Sequence, residues 1–229
     1  KEKQILLRDY IPVDIHAAEA TYEIQYGNVT RPTHYNTSWD FARFEVCAHK
    51  WIDISENGYG ISVLNDCKYG CDIHNGEIGL TMLKSAVYPN PDADKEHHSF
   101  TWSIAPHEGG WREGNTVAKA YVLNNPYQTA VKENEGGNLP ASYSFVQTDK
   151  ENVVIEAVKK AEDSDAVIVR LYECYNRRGQ TTLTFPRPVK RAVICNMLEE
   201  ETGEVLNVNG SQVELELKPY EIETVKVEF

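Results

Sequence analysis

The residues from Arg31 to Trp51, RPTHYNTSWDFARFEVCAHKW, gather the side chains that bind polyhydroxylated ligands. Arg31, His34, Tyr35, Asn36, Trp39, Asp40, Arg43, His49 and Trp51 all fall in this stretch. Guanidinium and amide groups hydrogen-bond hydroxyls, and an indole face stacks on a sugar ring. The same composition also suits a long surface loop, with its aromatics packed on a sheet and with Arg31 and Arg43 paired to Asp40 or Glu45. The polar run continues through Lys50 and Asp53 into YGISVLNDCKYG. There, Trp51 and Tyr69 read as packing residues. Asn65, Asp66 and Lys68 read as a turn held by local side-chain hydrogen bonds.

Other chemistries find less support. None of the seven histidines forms a ligand pair at helical spacing, and adjacent His97 and His98 would point to opposite faces of a strand. There is no G-x-S-x-G nucleophile turn and no glycine-rich phosphate loop. Asp53, Glu56 and Asp66 could furnish paired carboxylates, but among 35 acidic residues such a pair says nothing. The five cysteines are scattered, and Cys67 and Cys71 are spaced too widely for the common zinc or redox hook. They are expected to be free thiols in a reducing, cytoplasmic setting. A formal net charge of -12 argues against nucleic-acid and anionic-membrane partners. No segment approaches the roughly 18 apolar residues of a membrane helix.

Period-two alternation dominates the elements that must position these residues. Tyr22, Ile24 and Tyr26 share one strand face, with Glu23 and Gln25 on the polar one. Tyr59, Ile61 and Val63 repeat the pattern, as do Ile78, Leu80 and Met82, and Phe100, Trp102 and Ile104. A short helix is predicted around NTVAKAYVL, stopped before Asn124-Asn125-Pro126. Residues 126–142 lack periodicity and read as a linker between domains at 1–125 and 143–229. In the second domain YSFVQ, AVIVRLYEC, VKRAVICNML and YEIETVKVEF read as strands, and NVVIEAVKKAED as a strand with a helical tail. Asn209-Gly210 predicts a type I′ hairpin. The fold class is all-β: part of a large sandwich followed by a small antiparallel one. The chain has no initiating Met and opens in strand-like sequence, so it reads as a piece of a longer protein.

The succession RPTH, NTSWD, HKWIDISE, NDCKYG resembles the C-terminal region of the α-mannosidases of glycoside hydrolase family 38, in the branch of bacterial and vacuolar-type cytosolic enzymes. The resemblance extends through EATYEIQYGNVTRPTH, LKSAVYPNPDADKEHHSFTWSIAPHEGGW, VLNNP, VVIEAVKKAEDSDAVIVRLYE and LELKPYEIETVKV. It implies that the larger sandwich is part of a mutarotase-like supersandwich. It also implies a parent enzyme that hydrolyses terminal α-mannosides with retention, through two carboxylates and a zinc ion. The zinc and the nucleophile belong to an N-terminal catalytic half, so no catalytic residue, metal ligand or cofactor is expected in this chain. The implied partners are that half and a mannose-containing glycan, and a homo-oligomer stays open. The resemblance places Arg31 on a segment that completes the sugar pocket, with Asn36, Trp39, His49, Lys50 and Asp53 as further substrate-binding candidates. The alternatives are a stand-alone carbohydrate-binding module and a purely structural β-sandwich.

Overall fold

A computed structural model describes residues 4–131, 136–138 and 140–229. Part of the expected linker, 132–135 and 139, lies outside the described residues. Two compact units divide the chain, Lys1–Ala130 and Val131–Phe229.

The first unit runs β1 (Leu6–Pro12), β2 (Glu19–Ile24), β3 (Gly27–Pro32), α1 (Ser38–Ala42), β4 (Val46–Cys47), β5 (Trp51–Glu56), β6 (Tyr59–Asn65), β7 (Gly70–His74), β8 (Glu77–Lys84), β9 (Trp102–Glu108) and α2 (Thr116–Asn124). These strands form two antiparallel sheets, β1-β8-β7-β4 and β3-β2-β5-β6-β9. Alternate side chains of both meet in one core: Ile11, Tyr22, Ile52, Ile54, Val63, Ile73, Ile78, Leu80 and Met82. Phe100 and Trp102 pack against it, whereas Ile104, on the same face of edge strand β9, is 44% exposed.

The five-stranded sheet is covered on its other face too, which corrects the expectation that Glu23 lies on a polar, solvated surface. Glu23 is buried, with an oxygen 2.7 Å from Lys50 Nζ, and that ammonium lies 4.9 Å from the ring centre of Tyr121 on α2. Trp51 packs on Trp111, with ring centres 5.0 Å apart. Beneath the helix Asp53 accepts hydrogen bonds from His107 Nε2 (2.7 Å), Ser62 Oγ (2.6 Å) and Ser55 Oγ (2.5 Å). Thr116 Oγ1, at the start of α2, donates to Ser62 Oγ at 2.6 Å. A strand pattern shows alternation but not whether the second face is roofed, and the roof here comes from residues some sixty positions away. Glycine is required at position 60, where a Cβ would collide with His107 Cε1 and Ser55 Oγ. The helix itself falls where expected and ends at Asn124, two residues before Pro126.

The second unit runs β10 (Gln147–Thr148), β11 (Val153–Lys160), β12 (Val167–Glu173), β13 (Gly179–Thr184), β14 (Arg191–Cys195), β15 (Glu201–Val205), β16 (Asn207–Asn209), β17 (Gln212–Leu217) and β18 (Ile222–Glu228). Its sheets, β10-β13-β17-β16 and β11-β12-β18-β14-β15, enclose a core of Val169, Leu171, Leu183, Val213, Leu217, Val225 and Val227.

Three local expectations are corrected here. Residues 153–160 are strand to their end, because Lys159 and Lys160 pair with Ile168 and Val167; lysines suit this edge position. Most of YSFVQ is not strand, because Phe145 serves as a plug, edge-on to Phe185 and Phe229 with centres 6.3 and 6.1 Å apart. The hairpin turns on Gly210-Ser211, with only Gly210 at positive φ (61°). That register pairs Val208 with Val213 on the core side, so burial overrides the Asn-Gly preference. Among the described residues no helix is long and apolar enough to cross a membrane.

Candidate functional site

The segment 33–45 joins β3, at one edge of the five-stranded sheet, to β4, at one edge of the other. Its short helix α1 is set by a reciprocal cap. The Thr37 hydroxyl accepts from Asp40 N at 3.2 Å, and the Asp40 carboxylate accepts from Thr37 N (3.0 Å) and Thr37 Oγ1 (2.8 Å). The hydrogen bond from Thr37 holds the Asp40 carboxyl below its usual range. The T-x-x-D spacing is the sequence signal for this helix within a stretch whose composition also suits a loop.

Arg31 sits opposite Ala20 in the β2–β3 pair, and its guanidinium lies 4.8 Å from the ring centre of Tyr22. Its Nη1 is buried and has no hydrogen-bond partner. The cavity it faces is small, about 10 Å³, and is also lined by Tyr22, Asp40, Arg43, Asp72 and His74. Asp72 is paired with Arg8, so its charge is already partly matched. Burial pushes the Tyr22 hydroxyl well above the usual phenol range, so it stays a neutral O–H. His74 Nδ1 donates to Thr33 O at 3.2 Å. Tyr35 stacks on that imidazole, with ring centres 3.9 Å apart.

His74 also lines an adjoining open groove of about 800 Å³, together with His16, His34, Tyr35, Asn36 and Asn75. That volume suits a small polar ligand. The pairing of Arg31 or Arg43 with Asp40 or Glu45 is not among the ion pairs of the described residues.

The six residues singled out from the sequence do not form one site. Arg31 and Asn36 line the cavity and its adjoining groove. Trp39 projects from α1 and is 76% exposed. His49 accepts from the Gln25 amide at 3.3 Å and stands edge-on to Tyr69. Lys50 and Asp53 belong to the helix-covered face, Lys50 paired with Glu23 and Asp53 only 2% exposed within its five-residue network. Asn65 does hold its turn, accepting from Cys67 N and Lys68 N through Oδ1. Sequence reading missed Asp72 and His74, although GCDIHNG carries their signal: alternating Cys71 and Ile73 are core residues, and an Asn-Gly turn follows. Among the described residues no group of three or more His, Cys, Asp or Glu could hold a metal ion.

Fold and site together define an all-β region whose first sandwich carries a small cavity lined by Arg31 beside an open polar groove. Comparison with known proteins bears on the family and the fold. "Alpha-mannosidase G" of Dictyostelium discoideum is 40% identical over 233 residues, covering 98% of this chain and 21% of that relative. "Alpha-mannosidase 2C1" of Homo sapiens is 36% identical, covering 96% of this chain and 21% of the relative. "Alpha-mannosidase" of Saccharomyces cerevisiae is 33% identical, covering 97% and 22%. The chain thus spans about a fifth of the length of the curated relatives it matches. The crystal structure of an α-mannosidase from Enterococcus faecalis V583 shares the fold, with a TM-score of 0.80 at 19% identity over 97% of this chain and 26% of that one. The family description "Glycosyl hydrolases family 38 C-terminal domain" matches residues 1–92, and "Glycosyl hydrolases family 38 C-terminal beta sandwich domain" matches 152–225. The chain belongs to glycosyl hydrolase family 38, as part of its C-terminal region.

Proposed function

We propose that this region is a non-catalytic part of a retaining, zinc-dependent α-mannosidase of the cytoplasm, and that it completes the pocket for a terminal α-mannoside. The observation that carries the reading is the buried, unpartnered Nη1 of Arg31 on a cavity that adjoins an open polar groove. A buried donor without an acceptor is costly, by about 1–3 kcal/mol, so such an arrangement is kept where a ligand hydroxyl supplies the acceptor. A planar fork of donors can hold two neighbouring hydroxyls in fixed geometry. Tyr35 and Asn36 on the groove add a ring and an amide of the kind that sugars engage.

The metal and both reacting carboxylates are assigned to the remainder of the parent enzyme on the family resemblance, and among the described residues no group of three or more His, Cys, Asp or Glu could hold a metal ion. This chain's part is to bind and orient. The five free cysteines suit a reducing compartment. The first test is hydrolysis of an aryl α-mannoside by the full-length parent enzyme before and after chelation. Activity should fall on chelation and return with zinc. A parent that hydrolyses no α-mannoside, or that is indifferent to chelation, overturns the reading.

A further inference from the structure

The segment that frames the Arg31 cavity also carries the largest concentration of exposed aromatic side chains in the first unit. Trp39, Phe41 and Phe44 are 76%, 67% and 64% exposed. None of the five residues of α1 is buried, although its cap is complete. A helix this short has little stability of its own. Residues two positions apart on a helix point to nearly opposite sides, so Trp39 and Phe41 present apolar surface in different directions. Apolar surface on more than one side of a helix belongs in an enclosing environment. Large aromatics in such a cluster are typical interface anchors, whereas scattered surface apolar residues need no partner.

Two observations say what encloses it. About four fifths of the length of the curated relatives lies outside the part this chain matches. In addition, Asp40 and Arg43 of the same segment line the Arg31 cavity, so whatever surrounds the aromatics also borders that cavity. A second copy fits less well, because it would bring together two chains that each carry a net charge of -12.

We infer that Trp39, Phe41 and Phe44 form a knob that inserts into a cleft of the portion of the parent enzyme outside these 229 residues, fixing the Arg31 cavity at that boundary. The inference rests on the reading of the chain as part of a longer α-mannosidase. It adds the surface by which the two portions meet.

The test is hydroxyl-radical footprinting of the full-length enzyme, read at single residues and referenced to the urea-denatured chain. Trp39, Phe41 and Phe44 should be protected about tenfold or more, as at a dry interface core, and the protection should not change on dilution. Protection below about twofold, the level their exposure here would give, overturns the proposal. So does protection that vanishes when the sample is diluted to monomer, which would assign the knob to a second copy. Protection that arises only when a mannoside is added also overturns it, by making the aromatics a sugar platform. An Arg31→Ala enzyme with normal turnover and an intact footprint would refute the sugar-pocket reading and leave this one standing.

Discussion

Arg31→Ala in the full-length parent enzyme lowers kcat/KM for an aryl α-mannoside by about 10²–10³-fold, the usual cost of removing one pre-placed donor from a reacting site. The guanidinium is the only part of Arg31 with a defined role on this side of the sheet. One edge faces the cavity, and its plane rests on Tyr22 at 4.8 Å. Losing the contact with Tyr22 costs about 0.5–2 kcal/mol, so the melting temperature should fall by no more than about 5 °C. Arg31→Lys keeps the charge but loses the fork, and should recover only part of the activity. Steady-state kinetics and melts on the three proteins decide the matter. A kcat/KM within about threefold of wild type would place Arg31 in the scaffold, as a cation resting on Tyr22 and nothing more.

Asp53→Ala should act in the opposite way, with a large effect on the melt and little on the chemistry. Its carboxylate is the shared acceptor of His107, Ser55 and Ser62, and the last of these receives Thr116 from α2. Removing it strands buried donors on three strands of the sheet, His107, Ser55 and Ser62, the last of which carries the link to the covering helix. Breaking a buried charged network by deleting one partner costs about 3–5 kcal/mol, which is on the order of 10 °C in a domain of this size. Turnover per folded enzyme should stay near wild type. Thermal unfolding of the variant, with activity normalised to the folded fraction, reads both. A variant with an unchanged melt and sharply reduced turnover would return Asp53 to the list of substrate contacts.

Arg31 and Asp53 also show what the sequence can and cannot make visible. Alternation alone identifies the core face of β8 and picks out Tyr22 and Val63, because burial against one opposing sheet leaves a period-two trace, whereas Tyr26 lies in the turn after β2 at a φ of 56° and Tyr59 is 42% exposed. The same trace misread Glu23, and left Asp53 among the ligand candidates, because the roof over that face comes from distant α2. The family resemblance placed Arg31, and the structure sets it on a cavity. Asp72 and His74 reach that cavity from the other sheet, so their alternation with Cys71 and Ile73 shows the strand but not the cavity. Turn chemistry is legible only in part across the three Asn-Gly pairs, Asn57-Gly58, Asn75-Gly76 and Asn209-Gly210. Asn75-Gly76 has both residues at positive φ (53° and 74°), as a type I′ turn requires, whereas at Asn209-Gly210 the core pairing of Val208 with Val213 shifts the turn by one residue. The capping box at Thr37 was short enough to pass as loop, yet it organises the segment that carries both the pocket lining and the aromatic knob.

The central claim is that this chain borders the sugar. Photoaffinity labelling of the full-length enzyme tests it most directly, using an α-mannoside that carries a diazirine on the sugar, with peptide mapping of the adduct and competition by mannose. The account predicts competable labelling of residues 31–36 or of His74 and Asn75, alongside labels in the remainder of the enzyme. Labels confined entirely to residues outside this chain, under conditions where the probe is a competitive inhibitor, would contradict it.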